Sequence, residues 1–183
     1  SFMIVKNTSL DGVKIITPTV FEDERGYFFE SYKEPVFQKN DLPVNFVQDN
    51  EVKSTKGVLR GLHYQFNRPQ GKLVRVISGS ILDVAVDIRK GSPTFGQSEI
   101  VHLTAENNKM LYIPEGFAHG YLVTSSESIV VYKCTDIYDP NDQYGIIWND
   151  ETIGVDWMYD SPILSEKDLM LPALNDQQFL PEY

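Results

Sequence analysis

YIPEGFAHGY, Tyr112–Tyr121, and LRGLHYQ, Leu59–Gln65, each deliver a histidine from a run that reads as a β-strand. Pro114 and Gly116 set a tight turn ahead of a strand that brings His119 inward, and His63 lies within its own strand. A small β-barrel would hold both imidazoles where metal ligands are commonly found, yet the neighbours do not suit a metal. Arg60 precedes the first histidine and Gln65 and Lys72 follow it. A fixed cation is a poor neighbour for a divalent ion and a good one for a phosphate or an enolate oxygen. The two segments therefore predict a barrel pocket rebuilt for proton transfer on an anionic substrate.

Outward from these segments the pattern is mostly short strands. β-branched or aromatic runs occupy 73–77, 81–88, 100–103, 109–113 and 129–135, separated by Ser-Gly-Ser, Lys-Gly-Ser-Pro, Glu-Asn-Asn and Ser-Ser-Glu turns. Such spacing predicts an antiparallel sandwich or barrel rather than alternating β and α units. A short helix is expected over Val36–Asn40 after Pro35, and another over Ser165–Leu169, with Ser165 as cap and Asp168 three residues on. Within Ile81–Ile88, Leu82, Val84, Val86 and Ile88 share one face and Asp83, Ala85 and Asp87 the other. Acids facing a barrel interior would be functional and acids facing water ordinary; Asp87 is expected to face water.

The chain of 183 residues suits one domain over 1–183, with Ser1 and Phe2 read as a remnant ahead of a natural start at Met3. No apolar run approaches the roughly 20 residues of a membrane span, and no signal peptide is expected, so the reading is a cytoplasmic protein that does not enter membranes. The single cysteine, Cys134, permits no internal disulfide, fits a reducing compartment, and reads as core packing. A net charge of −10 disfavours a nucleic-acid partner. A small anion needs only a few local cations, and Arg60, Lys72 and Arg75 cluster in sequence, although Arg75 alone reads as a solvated charge.

Pro114 to His119 matches the P-x-G-x-x-H motif of the cupin barrel. The first cupin motif normally supplies H-x-H and then a Glu, which with the later His binds a metal. Here it reads His63-Tyr64-Gln65, and Lys72 falls where the acid is expected, so no metal is expected. His63 is better read as a base, since an ordinary imidazole titrates near pH 6.5 and works when a carboxylate orients it. No carboxylate nearby in sequence is an obvious partner. A core histidine held by backbone is the alternative, outweighed by Arg60 and Lys72. Strict alternation puts Arg60 and His63 on opposite faces, so they share a pocket only if Gly61 permits a bulge.

Seven runs extend the pattern: 23–30 DERGYFFE, 46–50 FVQDN, 57–65 GVLRGLHYQ, 71–76 GKLVRV, 113–120 IPEGFAHG, 131–133 VYK and 164–168 LSEKD. In this order and spacing the chain resembles the dTDP-4-dehydrorhamnose 3,5-epimerase family along almost its whole length. The resemblance implies a mainly β, cupin-like jelly roll, a double-stranded β-helix barrel with a few short peripheral helices. It implies an isomerase of dTDP-rhamnose biosynthesis that inverts dTDP-4-dehydro-6-deoxy-D-glucose at C3 and C5, with no cofactor. It further implies His63 as base, Asp168 as the partner of that base, Tyr132 as acid on the opposite face, Lys72 as the cation beside O4, and His119 with Asp83 as a second pair lining the sugar pocket. Arg60 and Lys167 resemble the diphosphate contacts, Gln48, Asp49 and Asn50 the segment beside the nucleotide, and Tyr138 the aromatic that stacks on thymine. Arg25 and Glu30 match contacts from a neighbouring subunit, which implies a homodimer with exchanged N-terminal strands. Gln143 departs from the pattern, standing where relatives often have Glu, and alters only a local hydrogen bond.

Three alternatives remain at this level. One is an epimerase at C3 or C5 alone, or a ketoisomerase of a related dTDP-4-ketosugar. The others are a metal-dependent cupin built on His63 and His119, and a noncatalytic nucleotide-sugar binder.

Overall fold

A computed structural model describes residues 3–183, so the reading of Ser1 and Phe2 lies outside the described residues. The strands are β1 (Met3–Asn7), β2 (Lys14–Pro18), β3 (Phe21–Asp23), β4 (Gly26–Phe28), β5 (Gln48–Thr55), β6 (Leu59–Gln65), β7 (Lys72–Ser78), β8 (Ser80–Asp87), β9 (Ser98–Thr104), β10 (Met110–Ile113), β11 (Phe117–Val123), β12 (Glu127–Cys134) and β13 (Gln143–Gly145). Two short helices, α1 (Glu34–Lys39) and α2 (Glu166–Leu169), complete the regular structure apart from two single 3₁₀ turns. Among the described residues no helix is long and apolar enough to cross a membrane.

Six strands form one antiparallel sheet in the order β1-β2-β10-β7-β12-β5, and five form a second in the order β13-β6-β11-β8-β9. Their facing sides enclose a core of Val74, Val76, Ile81, Leu103, Leu111, Phe117 and Val130. The fold is thus mainly β, as expected, but the sheets do not close into a barrel: no named strand pairing joins one to the other. Strands in a ladder lie about 4.8 Å apart, whereas sheets packed through side chains lie about 10 Å apart, so these bulky residues hold the faces beyond hydrogen-bonding reach.

The outer faces are covered as well. Leu82, Val84, Val86 and Ile88 pack with Trp157, Leu174 and Leu180 of the C-terminal segment. Ile16, Leu73 and Met110 pack with Phe37 of α1 and the following Leu42. The alternation in β8 therefore separates two buried faces rather than core from solvent. Asp87, expected to face water, is fully buried, accepting from Arg89 Nε and from the Ser92 and Thr94 hydroxyls. Burial alone would raise its carboxyl, and these hydrogen bonds hold it below the ordinary carboxylate range. Cys134 is buried in the core, which raises its thiol and leaves it a packing residue.

Candidate active site

His63 and His119 are direct cross-strand partners in β6 and β11. Two residues further along β11 and three back along β6 the register has shifted, and Arg60 stands opposite Tyr121. Gly61 has φ +122°, and a Cβ there would come within 2.7 Å of both Gly120 Cα and His119 O. Only glycine lets the strands meet so closely, and the resulting bulge turns both Arg60 and His63 toward the space between the sheets.

That space is a cavity of about 360 Å³ whose walls include His63, His119, Arg60, Lys72, Tyr132, Asn50 and Tyr138. Gln143, Lys167 and Asp168 also line it. His63, Arg60, His119 and Tyr121 come from the five-stranded sheet; Lys72, Tyr132 and Asn50 come from the six-stranded one.

Two carboxylates hold the imidazoles. His63 Nε2 lies 2.6 Å from Asp168 Oδ1, and Asp168 Oδ2 accepts from the Gly61 N–H at 3.1 Å, so one side chain fixes both the histidine and the bulge. Asp168 is positioned by α2, where the Ser165 hydroxyl accepts from the Asp168 N–H at 3.1 Å. Burial would raise the Asp168 carboxyl, but the hydrogen bond and charge of His63, the Gly61 N–H and Lys167 together bring it below its ordinary value. His119 Nε2 lies 2.5 Å from Asp83 Oδ1, and the acid is fully buried. With a carboxylate on each imidazole, the ligands that a metal-dependent reading would draw on are not assembled. Among the described residues no group of three or more His, Cys, Asp or Glu is arranged to hold a metal ion.

On the opposite wall Lys72 Nζ sits 5.7 Å from the centre of the Tyr132 ring. Burial lowers the Lys72 pKa, against Cys134 and Asp83, which favour its charge. Burial raises Tyr132, and Cys134 adds to this, so its hydroxyl keeps its proton at neutral pH. The Lys72 amine, a protonated phenol and a carboxylate-held imidazole thus face one another across one space, a set able to remove a proton, stabilise an oxyanion and return a proton from the other side.

The remaining expected residues divide. Gln48 Nε2 donates to Asn50 Oδ1, and Gln48 Oε1 accepts from the Tyr138 N–H, tying the inner face of β5 to the segment after β12. Gln143 Nε2 donates to Gln65 Oε1 at 3.3 Å. Asp49 does not join the cavity: the two-residue period of β5 turns it to the outer face, where it pairs with Lys133 at 3.1 Å. Arg25 is exposed and paired with Asp23, and Glu30 is paired with Lys33; neither lines the cavity. Arg75 likewise points away, its guanidinium over Phe29.

Sequence reading overlooked Ser54, which is buried and accepts from Arg60 Nε at 3.0 Å. Counting by twos from Asn50 along β5 would have placed it on the same inner face.

The dTDP-4-dehydrorhamnose 3,5-epimerase family model matches residues 7–176. A dTDP-4-dehydrorhamnose 3,5-epimerase of Methanothermobacter thermautotrophicus is 58% identical over 170 residues, covering 91% of each chain. One from Salmonella typhimurium is 52% identical over 183 residues, covering 98% of this chain and all of that one. The crystal structure of dTDP-6-deoxy-D-glucose-3,5-epimerase from Legionella pneumophila, in complex with dTDP-4-keto-L-rhamnose, superposes with a TM-score of 0.95 at 46% identity, covering 99% of this chain and 98% of that one. On the match over residues 7–176 and on these identities, the chain belongs to the dTDP-4-dehydrorhamnose 3,5-epimerase family.

Proposed function

We propose that His63 removes the protons at C3 and C5 of dTDP-4-dehydro-6-deoxy-D-glucose while Lys72 holds the charge that develops on O4 and Tyr132 reprotonates the opposite face. The product is dTDP-4-dehydro-L-rhamnose. Epimerisation of a dTDP-4-keto-6-deoxy sugar at these two carbons is the activity of the family to which the chain belongs. The observation that carries the assignment of roles is the 2.6 Å contact of His63 with Asp168, opposite Lys72 and Tyr132 in one cavity.

Both carbons flank the C4 ketone, so loss of either proton leaves an enolate with its charge on O4. A carbon acid beside a ketone is far weaker than an imidazolium, whose ordinary pKa is near 6.5, so proton transfer to the base is steeply uphill. The base alone does not bridge that, and an ammonium preorganised at O4 acts where the charge appears. Asp168 orients His63 and stabilises the imidazolium it becomes. Reprotonation from the face of departure returns the starting sugar, so inversion requires a donor on the facing wall, where Tyr132 stands.

Arg60 and Lys167 serve the diphosphate, Gln48, Asn50 and Gln143 the nucleotide, and Tyr138 stacks on thymine. The chain works as one domain in the cytoplasm and binds no nucleic acid. It pairs as a homodimer in which Arg25 and Glu30 reach the partner's cavity. The hairpin of β3 and β4 supports the dimer: it forms its own two-stranded sheet, and Tyr27 and Phe28 are 69% and 66% exposed.

Proton NMR of the ketosugar in heavy water with the protein tests the reading. Deuterium is expected at C3 and C5 with inversion at both, no exchange with His63→Ala, and exchange outlasting full inversion with Tyr132→Phe. Full turnover by His63→Ala would remove His63 as the base, and exchange at one carbon only would make the protein a monoepimerase.

A further inference from the structure

The five-stranded wall of the cavity presents four side chains as two cross-strand rows, His63 beside His119 and Arg60 beside Tyr121. Three of the four have a role in the reading above. The fourth is Tyr121, which lines the cavity, is only 3% exposed, and has a buried hydroxyl with no hydrogen-bond partner among the described residues. Its surroundings do not satisfy it. Asp83 has an unpartnered Oδ2, yet it and the Tyr121 hydroxyl do not meet. The Ser54 hydroxyl is near enough to oppose the rise of the phenol pKa, yet it makes no hydrogen bond of full geometry with Tyr121, and its oxygen accepts from Arg60 Nε. A buried hydroxyl left unpaired destabilises the fold, so a folded chain retains one where something else completes it.

Burial pushes the Tyr121 pKa up to about 12, with the positive charge of Arg60 and the neighbouring Ser54 hydroxyl opposing. The hydroxyl therefore keeps its proton and is a donor at neutral pH. Arg60 forms no ion pair among the described residues, and with Nε turned to Ser54 its terminal nitrogens are left for a ligand. A phenolic O–H beside a guanidinium with no acid of its own suits an anionic oxygen.

We propose that the Tyr121 hydroxyl is a substrate-binding group, donating a hydrogen bond to a phosphate oxygen of the sugar nucleotide beside Arg60. This rests on the reading of the cavity as a dTDP-sugar site and adds to it a residue at the anionic end of the ligand. Because the hydroxyl has no partner within the fold, it is a group whose removal weakens binding and spares stability.

Calorimetric titration with dTDP, which carries the diphosphate and lacks the sugar, tests the proposal when run on the unsubstituted protein and on Tyr121→Phe, with melting temperatures for both. The expected result is binding by the unsubstituted protein, affinity reduced roughly 10-fold or more in Tyr121→Phe, and a melting temperature unchanged or raised. Equal dTDP affinity in the two proteins overturns it, whether the melting temperature falls, as for a structural hydroxyl, or only ketosugar turnover suffers, as for a sugar contact. Absence of dTDP binding by the unsubstituted protein overturns the reading of the cavity itself, and this inference with it.

Discussion

The molecule holds two histidine–carboxylate pairs side by side, built to different specifications. In one, the His63 side chain is 35% exposed at the cavity, and its acid comes from α2, more than a hundred positions along the chain. In the other, the His119 side chain is 7% exposed and Asp83 wholly buried, donated by the adjacent strand of the same sheet. Both contacts are short, so hydrogen-bond length does not separate them. Access and provenance do. A base must reach its substrate and must become charged in doing so, which favours the partly open pair whose carboxylate is held below its ordinary pKa. The closed pair is a fixed part of the cavity wall, His119 lining it and Asp83 wholly buried behind.

The sharpest way to break this contrast is Asp168→Asn. The amide keeps an oxygen for hydrogen bonding but cannot balance an imidazolium, so solvent-deuterium exchange into the ketosugar is expected to fall about 10³-fold. A fall no larger than that caused by Asp83→Ala would erase the distinction between the pairs. Asp83→Ala should act mainly on stability. Stranding His119 costs about 2 kcal/mol, which for a chain of this size lowers the melting temperature by roughly 4–8 °C, readable by calorimetry.

Acid should separate the pairs in a milder way. The folded Asp168 carboxyl titrates below its unfolded value of 3.8, so its stabilisation is complete above that pH and is lost as pH falls through the lower folded value. Denaturant midpoints followed downward from pH about 5 should decline for the unsubstituted protein and less for Asp168→Asn. Asp87, lowered in the same way, sets the decline common to both proteins. The smallest effect belongs to Ser165→Ala, which removes the cap of α2 at a cost of about 1 kcal/mol and loosens Asp168 without deleting it. Exchange should drop modestly, with the loss in kcat rather than KM.

These residues show unequally in the primary structure. His63, Lys72, Arg60 and His119 stand out because charge and imidazole interrupt strand patterns, and the cap at Ser165 is legible from its spacing to Asp168. The partnership of Asp168 with His63 has no local sign; family resemblance alone suggested it. Alternation misplaced Asp87 because period two assigns sides of a strand without saying what covers each side: its own side, shared with Ala85, faces the core between the sheets, and the C-terminal segment covers the apolar side opposite. The same period, followed along β5, would have set Asp49 apart from Gln48 and Asn50 and included Ser54.

Residue order alone determined a β-rich chain, the strands that carry the two histidines, the cation that replaces a metal-binding acid, and membership of an epimerase family. These are local or one-dimensional properties: periodicity, turn chemistry and motif spacing. Tertiary structure decided that two open sheets face each other instead of closing, that the Gly61 bulge turns Arg60 and His63 into one cavity, which carboxylate serves which imidazole, and that Tyr121 is left with a buried, unpartnered hydroxyl. Each depends on distances between segments far apart in the chain. Such distances are set by side-chain volume between the sheets and by the docking of the tail on β6, where the Leu59 N–H donates to Ile163 O at 2.9 Å.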